Sequence, residues 1–394
     1  FVFGVYLLVL GKYKFLHIFK AIVYAGISSL FLPALWYIAA WKQGGDDFLD
    51  VVLAENFGRF FNTSTPDIDY RLGHENGFYY NFVTLLAGFL PWTILFFFSL
   101  FGLKVRKPEK TVKEIVTGIW SSIKSMEKVR LFSLVVIVCV IFFYSFPASK
   151  RSVYLMPAYP FIALFLAQYA IYITEYKTKA TRVFAAFLAS CTSLVLIASA
   201  LVMGGAINLS TIVAQYTDKA STLYTVSLIQ NSLANPTFLT VFLFILLLIA
   251  LGILLYQMFR KINIKILYAT IGLAFALNLV TDGVFMYTIR EGSSCKAFAT
   301  RIKKEYPVNR ANVFVMNNLL KYKNMYGLNF YMGNLFHDFE KQLPEEGYFL
   351  VCENNMPDIE KEYKDQYSFT FLTATENIPD ELDQKILLYS FTKK

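Results

Sequence analysis

Charge is scarce in this 394-residue chain: Asp, Glu, Lys and Arg make up 16% of it, against about a quarter in an ordinary soluble domain. Histidine is rarer still, with three residues, and neither an HExxH nor a CxxC spacing occurs, so no strong metal signature is present. The four cysteines do not form a disulfide framework. Cys139 and Cys191 fall inside apolar runs, whereas Cys295 and Cys352 lie in the polar C-terminal part, where they could pair. No basic stripe interleaved with aromatics accompanies the net charge of +9, so the positive balance is read as membrane orientation and not as nucleic-acid binding. The last hundred or so residues contain no GxGxxG, P-loop or nucleophile elbow.

What the chain has is apolar length. It is 56% hydrophobic and 18% aromatic, with a mean hydropathy of +0.47. His17 to Trp41 carries no charge after Lys20, and Phe82 to Leu103 carries none at all; each is long enough to cross a bilayer at about 20 residues per crossing. Leu131 to Phe146, Phe161 to Thr174 (a span beginning near Val153), Phe184 to Ala206, Phe238 to Phe259 and Ile266 to Tyr287 follow, giving an expectation of seven complete spans. The opening run, FVFGVYLLVL, is too short to span and has no basic flank. It reads as the end of a helix whose start precedes Phe1, with the chain incomplete at its N-terminus.

The basic clusters at 12–14, 104–130, 177–182 and 260–265 fall on alternate loops. By the positive-inside rule that face is cytoplasmic. The Glu55 to Tyr80 loop, the Lys150 turn, the polar Asn208 to Asn235 loop and everything after Arg290 are then expected outside the cytoplasm. The reading is a polytopic α-helical membrane protein of the cytoplasmic (inner) membrane: residues 1–290 transmembrane, residues 291–394 a small extracytoplasmic α/β domain. In that domain Ser294 to Lys304, Glu340 to Leu343 and Met356 to Tyr363 are predicted helical. Asn312 to Met316, Leu328 to Met332, Tyr348 to Cys352, Phe369 to Thr373 and Ile386 to Phe391 are predicted strands.

Two stretches on the expected outer face concentrate the polar chemistry. The loop ENFGRFFNTSTPDIDYRLGHENGFYY holds Glu55, Arg59, His74 and Glu75 among aromatics, and the turn PASKRSVYLMP holds Lys150, Arg151 and Tyr154. Lys150 and Arg151 are a basic pair on the face where statistics disfavour one. Cations at headgroup level suit a ligand whose phosphate sits there and whose hydrocarbon lies between helices. The alternative is that Arg59 and Lys150 snorkel to anionic lipid or pair with Glu55 or Glu75. His74 is open to three roles: a metal ligand, a proton shuttle, or a hydrogen-bonded structural histidine. Pro91 in the PWT triplet reads as a helix kink beside an interfacial aromatic belt.

ENFGRF, HENGFYYNFVTLLAGFLPWT and FFYSFPASKRSVYLMPAYPF, together covering Val52 to Gln168, resemble the second half of the integral-membrane glycosyltransferases related to 4-amino-4-deoxy-L-arabinose transferase and, more distantly, protein O-mannosyltransferases. The resemblance implies a GT-C fold and inverting transfer of a sugar from a polyprenyl-phosphate donor to a lipid or protein acceptor, next to membrane lipids. Carried over by position, Arg59, Lys150, Arg151 and Tyr154 would surround the donor phosphate, with Glu55 and His74 framing the cavity. It implies no cofactor beyond an open divalent metal. Asn56 stands where relatives often have His, which weakens a metal site there, and the catalytic carboxylate belongs to a loop that precedes this sequence. A transporter or flippase of polyprenyl-linked sugars is the competing class. It would place ionisable residues deep in the spans, and Asp282, near the end of one, is the exception to their lack of charge.

Overall fold

The computed structural model describes residues 1–53, 76–101, 111–147, 150–316, 325–379 and 382–394. Among them six helices are long and apolar enough to cross a membrane: Phe15–Asp46, Lys128–Ser145, Ser152–Tyr176, Thr178–Met203, Phe238–Arg260 and the run that starts at Asn263. Phe238–Arg260 shows why. Its 23 residues carry one charge, at the last position, and span about 34 Å at 1.5 Å per residue. The protein is a multi-pass membrane protein, and its chain packs as two compact units, Phe1–Phe187 with Arg260–Tyr268 and Leu188–Phe259 with Ala269–Lys394.

In the first unit the helix Val2–Leu10 is followed by Phe15–Leu53, which breaks at Gly45, where φ is 74°. The run expected as one span from Phe82, kinked at Pro91, is two helices of nine residues, Tyr80–Gly88 and Trp92–Leu100, bent 103° to one another. At about 13 Å neither crosses alone. The cause is Pro91, which has no N–H to give. The Leu90 N–H turns to Ala87 O at 3.2 Å, which leaves Leu86 O without its helical donor, and the Thr93 hydroxyl fills that place at 2.6 Å. Trp92, Phe98 and Tyr169 then pack around a core of Leu95, Ala170, Ile173, Phe184 and Leu267.

The basic linker that follows contains a helix the sequence reading missed, Val112–Lys124, started by a reciprocal cap between Thr111 and Glu114. Val112, Ile115, Val116, Ile119 and Trp120 form one stripe of it, and all are exposed. Such an exposed apolar stripe on a basic helix suits a membrane surface, and Lys124 stacks 5.4 Å over Trp120.

In the second unit the segment read as a polar loop from Asn208 holds two helices, Leu209–Val213 and Ala220–Ala234. The Asn208 side chain caps the first by accepting from Thr211 N at 3.0 Å, and Tyr224 in the second donates to Gly292 O at 3.0 Å. The C-terminal residues form a five-stranded mixed sheet in the order β2-β1-β3-β5-β4, from β1 (Val313–Val315), β2 (Phe336–Asp338), β3 (Glu346–Cys352), β4 (Tyr367–Ala374) and β5 (Ile386–Lys393). β1 runs parallel to β2 and β3, and β5 antiparallel to β3 and β4. Strand alternation separates two cores. Val313, Leu350, Cys352, Ile386 and Leu388 face Phe298 and Ile302 of the helix Lys296–Glu305, with Cys295 in the same cluster. Phe314, Phe349, Val351 and Phe391 face Phe339, Met356, Ile359 and Tyr363. The stretch Leu328–Met332, predicted as a strand, is part of a helix, Tyr326–Met332. Leu328 and Met332, four residues apart, are both buried, so the helical period prevails over alternation.

Candidate functional site

The turn after the Lys128–Ser145 span is built by burial at both ends. Leu155 and Ala158 of the short 3-10 helix Ser152–Ala158 are fully buried and fix it against the membrane helices. Asn81, 1% exposed, donates to Tyr144 O at 3.0 Å and to Ser145 Oγ at 3.1 Å, so the helix Tyr80–Gly88 holds the end of the preceding span. Nothing in the sequence singled Asn81 out. A lone amide in an apolar run, one residue after the aromatic triplet, is the signal that could have found it.

Lys150 sits in this frame with 5% of its surface exposed. Its Nζ donates to Pro147 O at 2.6 Å and to Asn76 O at 2.9 Å, and Asn76 Nδ2 donates back to Lys150 O at 3.3 Å. A buried ammonium needs such partners, and two carbonyls leave one of its three N–H groups over. The same bonds join the C-terminal end of the Glu55 to Tyr80 loop to the basic turn, so the two stretches singled out in the sequence meet here.

Arg151 differs from its neighbour. It is exposed, in extended backbone at the start of the 3-10 helix. Its carbonyl accepts from Tyr154 N at 3.1 Å. Tyr154 is half-buried and its ring stacks on Tyr144 at 5.4 Å and 22°. Lys150 precedes the helix, so Tyr154 does not follow it by one α-helical turn; Arg151 and Tyr154 are the pair related by one 3-10 turn. Exposed Phe78 and Tyr79 flank the site on the loop side.

Glu55, Arg59 and His74 lie outside the described residues. Among the described residues no three His, Cys, Asp or Glu side chains come together as a metal site. Among the described residues no salt bridge holds Arg151; Lys150, next to it in the chain, is buried on two carbonyls, and Tyr154 follows Arg151 by one 3-10 turn.

No protein-family model matches the sequence. An uncharacterized protein of Aquifex aeolicus (strain VF5) is 27% identical over 147 residues, which is 37% of this chain and 24% of that protein. Two crystal structures of ArnT from Cupriavidus metallidurans match 99% of this chain, one bound to undecaprenyl phosphate with a TM-score of 0.58 and one in the apo state with 0.57, both at 12% identity. The chain shares the fold of ArnT. It spans 64% and 63% of the two ArnT chains, so the likeness is one of architecture over part of a longer protein. The GT-C-like fold expected from the HENGFYYNF and SFPASKRSVY motifs is therefore present, with helices followed by a small α/β domain as in the sequence reading.

Proposed function

We propose that this protein is a glycosyltransferase that moves a sugar from a polyprenyl-phosphate donor to a lipid or protein acceptor at the outer face of the cytoplasmic membrane, with inversion at the anomeric carbon. The observation that carries the reading is the fold shared with ArnT across 99% of the chain, one structure of which holds undecaprenyl phosphate. The exposed Arg151 on a membrane-level turn supplies matching chemistry. In the proposed step an acceptor hydroxyl loses its proton to a carboxylate and bonds to the anomeric carbon, while the bond from that carbon to the phosphate oxygen breaks. The pair of electrons stays on the phosphate, where a guanidinium stabilises it by about 3 kcal/mol.

Arg151 is assigned to the phosphate, Tyr154 to one of its oxygens, and Lys150, through its remaining N–H, to the same charge from behind. Arg59 completes the phosphate site and Glu55 and His74 frame the cavity in this proposal, with His74 the one candidate for a divalent metal. The test uses membranes containing the native protein and a polyprenyl-phosphate sugar labelled in the sugar. Label recovered on an acceptor, with inverted anomeric configuration and at least tenfold less in Arg151→Gln, supports the reading. Label that crosses the bilayer still attached to the lipid makes the protein a flippase instead.

A further inference from the structure

At the opposite end of the Ser152–Tyr176 span from Arg151 the first unit has a concavity, which no role in sugar transfer uses. It measures about 770 Å³ and is lined by Phe98, Phe101, Tyr176, Val183, Lys177 and Lys179, with Thr178 and Ala180 between. That volume lies within the range of sites for small molecules, about 300–1,000 Å³. Its walls are aromatic and aliphatic, and Phe101 and Tyr176 stand 77% and 71% exposed, which suits contact with hydrocarbon at a membrane helix end. Among the described residues its lining carries two ammonium groups and the hydroxyls of Tyr176 and Thr178 and no carboxylate. The nearest acid in sequence, Glu175, is exposed and outside the lining.

Lys177 is already oriented. Its Nζ donates to Ser99 O at 2.8 Å, which satisfies the last turn of the Trp92–Leu100 helix and leaves two N–H groups of the ammonium for another acceptor. Lys179, exposed on the first turn of the helix Thr178–Met203, makes no such bond among the described residues. An apolar bay edged by one positioned and one exposed cation fits an amphiphile with an anionic head and hydrocarbon tails.

We propose that this bay binds an anionic glycerophospholipid, with its phosphate at Lys177 and Lys179 and its acyl chains along Phe98, Phe101, Tyr176 and Val183. The site lies in the other leaflet from the proposed donor site, and the inference stands independently of sugar transfer. Because Lys177 also grips Ser99, an occupied site braces the short helix that follows the Pro91 bend.

The test is lipid retention and protection in the detergent-purified full chain, read by native mass spectrometry and by thermal shift on adding phosphatidylglycerol, phosphatidylcholine or undecaprenyl phosphate. Phosphatidylglycerol should be retained and should raise the melting temperature, with the zwitterionic lipid doing neither. Lys179→Gln, which leaves the Ser99 bond intact, should weaken phosphatidylglycerol binding about tenfold, and Val183→Trp, which fills the bay without changing charge, should abolish it. Arg151→Gln should leave it unchanged. Equal protection by phosphatidylcholine, or unchanged retention in both Lys179→Gln and Val183→Trp, overturns the proposal. Displacement of phosphatidylglycerol by undecaprenyl phosphate at equal concentration overturns it too, in favour of a polyprenyl phosphate as the occupant.

Discussion

Lys150 and Asn76, 74 residues apart in the chain, exchange hydrogen bonds in both directions, ammonium to carbonyl at 2.9 Å and amide to carbonyl at 3.3 Å. The bonds make a clasp between the long loop and the basic turn. A side chain that sequence patterning offers as a ligand-binding cation is thus also a structural one, and its neighbour carries the exposed charge.

The two adjacent cations are expected to separate in experiment. Lys150→Met removes the donor from Asn76 O and Pro147 O and should cost about 1–3 kcal/mol of stability through unsatisfied buried groups, visible as a lower melting temperature in detergent. Arg151→Gln should melt like the parent and lose affinity for polyprenyl phosphate. A Lys150→Met protein as stable as the parent would remove the clasp from the account.

Phe339 is fully buried and its ring lies within 5.0 to 5.5 Å of Phe349, Tyr363, Tyr367 and Phe391. Phe339→Ala should cost about 3–5 kcal/mol. Limited proteolysis of the full chain should then cut within residues 336–391 at far lower protease, with Phe339→Leu intermediate. Resistance equal to the parent's would show that this face of the sheet does not depend on the aromatic cluster.

Glu114 is held below the ordinary carboxylate range, first by the Thr111 backbone N–H and then by the Thr111 hydroxyl. A depressed folded pKa means that the cap is present above the unfolded value and lost as the pH falls through the folded one. Amide protection at residues 114–116, the exchange rate corrected for the intrinsic rate at each pH, should therefore be high at pH 7 and fall on acidification below the ordinary carboxylate range. Glu114→Gln should flatten that pH response. An unchanged response in the variant would assign it to other groups.

Orientation is open to labelling. With the four native cysteines replaced, Ser121→Cys and Asn235→Cys, both at exposed positions, should react oppositely with a membrane-impermeant thiol reagent on intact cells. Asn235→Cys is expected to label and Ser121→Cys to be protected. The reverse result would put the Arg151 turn on the cytoplasmic side.

What the sequence made legible follows from how far each signal reaches. Spans such as Phe238–Arg260 announce themselves because membrane burial demands an unbroken apolar run, and β3 and β5 because seven or eight residues hold an apolar run of strand length. β2 has three residues, too few for any period. The helix Val112–Lys124 was hidden because its lysines were read as topological charge while its apolar stripe went unread. At the site, motif spacing found the turn. It could not tell Lys150 from Arg151, since which of two adjacent cations is buried is decided by Asn76 and Pro147 carbonyls that no side-chain pattern reports.

Laid in the headgroup layer, the helix Val112–Lys124, joined by Ser125–Glu127 to the next span, would work as a stop collar. Four steps along the chain from Lys124 to Lys128 reach at most about 14 Å. The span Lys128–Ser145 has 18 residues, about 27 Å, against a hydrocarbon thickness of about 30 Å, so it has no spare length. Sliding one way would drown Lys113 and Lys124 in hydrocarbon; sliding the other would lift Val116 and Ile119 into water. The clasp at its far end would thereby be kept at one depth, and a thicker or thinner bilayer would have to deform around the protein before Arg151 moved.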